Sequence, residues 1–517
     1  MKLVEKIKEN KVSVVGCIWI LIGLVIDAWF HVFRGEQLLD SDMAAEMILA
    51  DLLNKEHAFL LSKNWFYSTE VRVFTMQPFL RMGLWIFPDN WHRARMLGTM
   101  LMIILMVLGI LVLFHLMDKT RVGIYVAALS VLPGGGYYFW QTLYGGFYLP
   151  YILFSLYSLC AVVWIMKSNR LLYKCIGSAI LIILGIMSGL NGVRQLMLLY
   201  APMLVACVLI TIYFSWNKCV GTNKGGLIGL WIGTMVGTIG SLIGYLYNVT
   251  TFAKQYKFRN YGELTTISDE GSFMKSVRDF MWDYGFAADK KLVSFQGIAS
   301  MVGILVGTII VFAGIRLIII HETLDFYEKI VTFIAISEIG VNAVILTYVN
   351  AERNYYQPVL MFGLILVVLW LNKEEFKLRI PRWGILTLFM SLYLFTSIGT
   401  VMNEEDEPYH EWRAHPQMRE VTKYLQAEGY TDGIAEFWKS HLIQELSDGE
   451  IETWGMYHAN DTEFYQWLEY TGHIGSYPEG KYFYLCTTNE VEENAFLDLH
   501  PELQPVYMLD DYWVFAE

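Results

Sequence analysis

Two carboxylates separated by one serine, Asp40-Ser41-Asp42, follow directly on the first long apolar segment. Acids this close repel each other unless a proton or a cation lies between them. Two kinds of chemistry suit the pair. One carboxylate can act as a general base, or both can hold a divalent metal such as Mg or Mn. Either Asp could instead cap the amphipathic stretch 43–54, but a cap needs only one of them.

A second polar group lies downstream, in Trp65-Phe66-Tyr67-Ser68-Thr69-Glu70-Val71-Arg72. Sugars present apolar C–H faces and many hydroxyls, so Tyr67, Glu70 and Arg72 beside aromatic rings suit a sugar. Trp65 and Phe66 read first as an interfacial aromatic belt. Two arginines stand in short turns between apolar segments: Arg194 in Asn191-Gly192-Val193-Arg194-Gln195, and Arg353 in Arg353-Asn354-Tyr355-Tyr356. Arg is well shaped to grip a phosphate with two parallel bonds, although a lone Arg in such a turn also snorkels to headgroups. Asp27, His31 and Arg34 share one helical face leading to the acidic motif. Glu338 and Asn342 read as an interior polar pair, and the tyrosines near the glycine run (Tyr137, Tyr138, Tyr144, Tyr148, Tyr151) as belt residues. No P-loop, GxSxG or HExxH motif occurs.

The elements that must position these groups are membrane helices. The 517 residues are 55% hydrophobic and only 17% charged, too little charge for a soluble chain of this size. Mean hydropathy is +0.39. Apolar runs of bilayer-spanning length recur at 12–33, 96–117, 122–140, 147–166, 175–190, 195–214, 227–247, 298–320, 330–349, 358–371 and 383–402, which predicts a mainly α polytopic protein of about 11 spans, with Pro133-Gly134-Gly135-Gly136 a place for an early helix break in 122–140. Lys119, Arg121, Lys167, Arg170, Lys174, Lys218, Lys224, Lys329, Lys373, Lys377, Arg379 and Arg382 cluster in alternate short loops. The positive-inside rule then places the N-terminus in the cytoplasm and the C-terminus outside, with loops 34–95 and 248–295 on the outer face. On this reading the acidic motif, Arg194 and Arg353 share one side of the membrane.

The formal net charge of −12 is unevenly spread. From Asn403 onward there are 25 Asp/Glu and 5 Lys/Arg, so the tail carries −20 and the remainder +8. The chain thus divides into a membrane part, 1–402, and an acidic part, 403–517, unsuited to nucleic acid. In the acidic part 416–428 and 438–447 suit helices and 482–486, 505–509 and 512–516 suit strands, a small α/β unit. The six cysteines form no CxxC pair and no Cys/His cluster.

The layout resembles the GT-C class of membrane glycosyltransferases, in particular bacterial members in which a Leu-Asp-Ser-Asp-like motif precedes a Trp-Tyr-Tyr-Ser-Thr-Glu-like one. Those positions read Leu39-Asp40-Ser41-Asp42 and Trp65-Phe66-Tyr67-Ser68-Thr69-Glu70 in this chain, with Phe66 where those relatives carry Tyr. The stretch from Ala435-Glu436-Phe437-Trp438 to Leu446-Ser447-Asp448-Gly449-Glu450-Ile451 also resembles one recurring in that group. The resemblance implies a sugar donor on a polyprenyl-phosphate carrier at the outer face of a bacterial plasma membrane. It implies an acceptor that is an envelope glycan, lipid or protein, and a first-loop carboxylate as base. Asp42 or Asp40 would be that base. Arg194 and Arg353, with Tyr356, would face the departing phosphate, and Tyr67, Glu70 and Arg72 would face substrate. Some members use a divalent metal at the acidic motif. The rival reading is a transporter or a flippase for a lipid-linked sugar, for which Glu338 is the best support.

Overall fold

The computed structural model describes residues 2–136, 138–216, 220–259, 265–266, 272–349, 359–373, 382–404, 416–457, 464–492 and 496–516. Eight of the described helices are long and apolar enough to cross a membrane: Ser13–Phe33, Trp91–Leu116, Leu149–Lys167, Leu171–Gly189, Leu196–Trp216, Lys224–Lys254, Phe295–Ile319 and Phe326–Tyr348. Two shorter apolar helices are Leu360–Lys373 and Gly384–Gly399. The protein is a multi-pass membrane protein.

The remaining expected span, 122–140, is not one helix. A helix covers Thr120–Ser130, the chain turns through Pro133-Gly134-Gly135-Gly136, and a π-helical segment covers Tyr138–Tyr144. Pro133 supplies no backbone donor, which ends the helical ladder. A Cβ at Gly135 would run into the backbone oxygens of Trp282 and Asp283, so the break also makes room for the end of the Ser272–Asp283 helix.

The chain folds as two compact units. The first comprises Met1–Asp27, Met102–Asn248 and Gly262–Asp406 and holds most of the apolar helix length. One end of it is tied by ions. Asp325 and Glu328 cap the Phe326–Tyr348 helix reciprocally, each carboxylate accepting the other's backbone N–H at 3.0 and 2.9 Å. Lys119 pairs with Glu328 at 2.8 Å and Asp325 at 2.5 Å, and Lys373 pairs with Glu328 at 2.8 Å. Lys119 and Lys373, which sequence analysis assigns to the same side, thus meet at one cluster.

The second unit comprises Ala28–Leu101, Val249–Tyr261 and Glu407–Glu517. Its main sheet has the order β4-β3-β6-β8-β7, where β3 is Asp432–Glu436, β4 Glu452–Met456, β6 Phe483–Thr487, β7 Pro505–Leu509 and β8 Tyr512–Ala516. β3 runs parallel to β4 and β6, and β8 runs antiparallel to β6 and β7. Ile434, Met456, Phe464, Tyr484, Phe496 and Phe515 fill its core. Of the expected elements, both helices and all three strands form within a residue or so, while β3 and β4 go unpredicted. A small second sheet joins β1 (Trp65–Tyr67), β2 (Lys257–Phe258) and β5 (Glu469–Tyr470). Phe66 lies between Lys257 and Glu469 in its register.

Candidate functional site

The acidic motif opens the helix Ser41–Lys55. Asp40 has extended backbone (φ −121°, ψ 171°), and its carboxylate accepts the Met43 N–H at 2.7 Å. It is therefore the N-cap, which satisfies one of the donors that every helix start leaves over. Asp42 sits half-buried in the first turn, and Glu46 follows one turn later on the same face.

Glu46 lines a small cleft together with Trp65, Tyr67, Glu70, Arg72 and Gln77. Its carboxylate accepts a hydrogen bond from the Gln77 amide. Burial pushes Glu46 up to about 7; Arg72, the Gln77 bond and Arg95 oppose this, and the charge of Asp42 adds to it. A carboxyl that titrates near neutrality can take and return a proton in function. Glu46 stands within the motif region but was assigned no role from sequence. The usable signal is an acid at helical spacing from Asp42 among residues that the helix buries (Met43, Ala45, Met47, Leu49).

Three expected substrate residues line this same cleft. Arg72 pairs with Glu70 at 3.3 Å, both partly buried. The Tyr67 hydroxyl accepts from Ser62 N–H at 2.9 Å and donates to Ser62 C=O at 3.2 Å, so only its ring faces the cleft. Trp65, expected in the interfacial belt, is instead fully buried in the cleft wall. Among the described residues, neither its indole N–H nor the Gln77 side-chain oxygen has a hydrogen-bond partner.

The first turn of the Ser41–Lys55 helix is held by the helix Phe437–Leu446 of the same unit. Ser41 donates its hydroxyl hydrogen to the Phe437 carbonyl, and its oxygen lies 3.2 Å from His441 Nδ1. Ser41 has only that one hydrogen, so His441 must carry its proton on Nδ1 to donate to it. Burial holds His441 below its ordinary value, against the opposing charge of Glu469. Its Nε2 lies 3.6 Å from Glu469. Glu469 accepts from His473 at 2.8 Å, and His473 reaches Glu452 at 2.8 Å. Burial opposes charge on His473, but the bonds to Glu452 and Glu469 outweigh it and raise the group to about 9. One turn beyond His441, Glu445 receives Arg95 through Nε at 2.7 Å and Nη2 at 2.5 Å. The same Nη2 donates to the Met43 carbonyl at 2.7 Å. Burial raises Glu445, and Arg95 counters it. None of Arg95, His441 and Glu445 was singled out from sequence, although the stretch holding the last two was.

In the other unit, Arg194 is buried in the turn after the helix Leu171–Gly189. Its Nη1 donates to the Tyr148 hydroxyl at 3.1 Å, and its guanidinium lies 5.3 and 5.4 Å from the Tyr148 and Tyr151 ring centres. Of the tyrosines expected in an interfacial belt, Tyr138, Tyr144, Tyr148 and Tyr151 are all buried, and Tyr138 donates to the Ser130 carbonyl at 2.7 Å. Glu338 and Asn342 do not pair through their side chains; the Asn342 amide donates to the Glu338 backbone carbonyl at 2.8 Å. Tyr137, Arg353 and Tyr356 lie outside the described residues.

Among the described residues, no group of three or more His, Cys, Asp or Glu is arranged to hold a metal ion. At the acidic turn Asp40 accepts the Met43 N–H through one carboxylate oxygen, and the charges of Arg72 and Arg95 act on Glu46.

No protein-family model matches the sequence, and no curated protein matches it. Solved structures do match in shape. ArnT from Cupriavidus metallidurans, bound to undecaprenyl phosphate, superposes with a TM-score of 0.56 at 10% identity, over 96% of this chain and 97% of that one. The oligosaccharyltransferase of Archaeoglobus fulgidus tethered to an acceptor peptide gives a TM-score of 0.48 at 11% identity, over 96% of this chain and 74% of that one.

Proposed function

We propose that this chain, which has the GT-C fold, is a membrane glycosyltransferase. It moves a sugar from a polyprenyl-phosphate carrier to a glycan, lipid or protein acceptor on the outer face of the membrane. The observation that carries this reading is the acidic turn of Ser41–Lys55 beside a cleft that combines Glu46, Glu70, Arg72 and Gln77 with the ring of Trp65. Such a wall offers hydrogen-bond donors, acceptors and an apolar face to a polyhydroxylated ligand. The likeness to a fold seen with undecaprenyl phosphate supports the choice of carrier.

Asp42 is the base, since the Asp40 carboxylate is used by the cap. It takes the proton from the acceptor hydroxyl as that oxygen attacks the anomeric carbon of the donor. The bond from that carbon to the phosphate oxygen breaks, the lipid phosphate leaves, and the anomeric centre inverts. Arg194, with Arg353, meets the charge that develops on the phosphate. Tyr148 and Tyr151 keep the Arg194 guanidinium in one orientation. Glu46, Glu70 and Arg72 bind the acceptor.

The test is sugar transfer in membranes supplied with labelled polyprenyl-phosphate sugars. Transfer by the wild type and none by an inserted Asp42→Asn variant is the expected result. If no donor is consumed while labelled lipid changes leaflet regardless of Asp42, the protein is instead a flippase.

A further inference from the structure

We propose that the helix Phe437–Leu446 is the positioning element of the acidic turn, with Glu445 acting through Arg95 and His441 acting through Ser41. The proposal rests on the transferase reading of Asp42. A helix start is the part of a helix that frays first, because its backbone N–H groups lack intrahelical partners. Here two of the three residues of that first turn are held from several directions. The Met43 N–H is fixed by Asp40 and its C=O by Arg95, and Ser41 is fixed by the Phe437 carbonyl and His441. Asp42 sits between the two held residues.

Glu445 and His441 are four residues apart, on one face of their helix, and both are almost wholly buried. Packing alone would hold two helices together without ions, and a buried ion pair is poor value for stability compared with apolar residues of the same volume. What a two-pronged Arg–carboxylate contact adds is fixed direction. A general base needs that, since a shift of about 1 Å at the reacting group is enough to cost about 10²-fold in rate. Glu445 and His441 reach the acidic turn only through Arg95 and Ser41, so both are positioning residues and not catalytic ones.

The experiment uses the full chain in lipid nanodiscs, as wild type, Glu445→Gln, Arg95→Lys and His441→Asn. Arg95→Lys keeps the charge but loses the fork, and it and His441→Asn serve if Glu445→Gln does not fold. Two quantities are read: transfer kinetics with labelled polyprenyl-phosphate sugar, and hydrogen exchange of the amides of residues 43–47. The expected result is a kcat lowered about 10- to 100-fold, a donor KM within about twofold of wild type, and exchange at 43–47 accelerated at least about tenfold. A merely structural role would raise KM together with the loss of kcat, and that outcome overturns the proposal. Unchanged exchange and unchanged kcat overturn it too, with the transferase reading intact. If the wild type transfers no sugar but the variants still free the 43–47 amides, the transferase reading fails and the hold on the turn stands.

Discussion

Arg95 and Glu445, 350 residues apart in sequence, form a buried two-pronged ion pair, and the same guanidinium reaches back to the Met43 carbonyl at the acidic turn. Removing one partner strands a buried charge. Arg95→Met should lower stability by about 3–5 kcal/mol in detergent. Arg95→Met combined with Glu445→Leu should recover most of that loss. Denaturant unfolding of the four proteins measures both values, and an additive double mutant would contradict the pairing.

The two acids of the motif should separate cleanly on substitution. Asn caps a helix about as well as Asp, so Asp40→Asn should keep both fold and transfer, while Asp40→Ala should cost about 1 kcal/mol of stability. Asp42→Asn should lower kcat by about 10²- to 10⁴-fold with the fold intact. Loss of transfer in Asp40→Asn alone would reverse the assignment of the base.

Glu46 binds a proton more tightly in the folded chain than in the unfolded one, about 7 against an ordinary 4.5. Its contribution is therefore fully present below pH 4.5 and is lost as pH rises through about 7. Glu46→Gln should leave stability unchanged near pH 4 and raise it near pH 8. Arg72→Ala removes the strongest opposing charge and should move the midpoint of that loss upward. Thermal unfolding across pH 4–8 would show it, and a pH-independent effect of Glu46→Gln would rule it out.

His473 follows the same sign at a higher window. Its folded value, about 9, exceeds the ordinary 6.5, so its ion pairs stabilise fully below pH 6.5 and fade as pH rises through about 9. Glu452→Gln removes one partner and should flatten the decline of stability between those limits.

Arg194 is placed to test phosphate recognition apart from the base. Arg194→Lys keeps the charge but loses the fork and the stacking on Tyr148 and Tyr151. Transfer should fall at least about tenfold, and Tyr148→Phe, which removes only the hydroxyl partner, should fall less. Equal activity in Arg194→Lys would move the phosphate site elsewhere.

The sequence by itself determined the class of this protein. Long apolar runs with little charge leave only membrane helices, because hydrocarbon offers backbone groups no partners. It also isolated Asp40-Ser41-Asp42 and the Trp65–Arg72 stretch, since charges beside apolar runs stand out locally. The break that Pro133 and the following glycines make in 122–140 was also legible, but not the approach of the Ser272–Asp283 helix that shapes it. Which Asp is the cap was undecided until the Met43 N–H was seen on Asp40. Glu46 looked like one more acid on a helix; the nearness of Gln77, Arg72 and Asp42 in a buried wall makes it titrate near neutrality. Arg95, His441 and Glu445 carried no usable signal, nor did the pairing of β1 with β5. Periodicity and caps report contacts within a few residues. A contact across hundreds of residues follows from how the elements pack, and only the tertiary structure decides that.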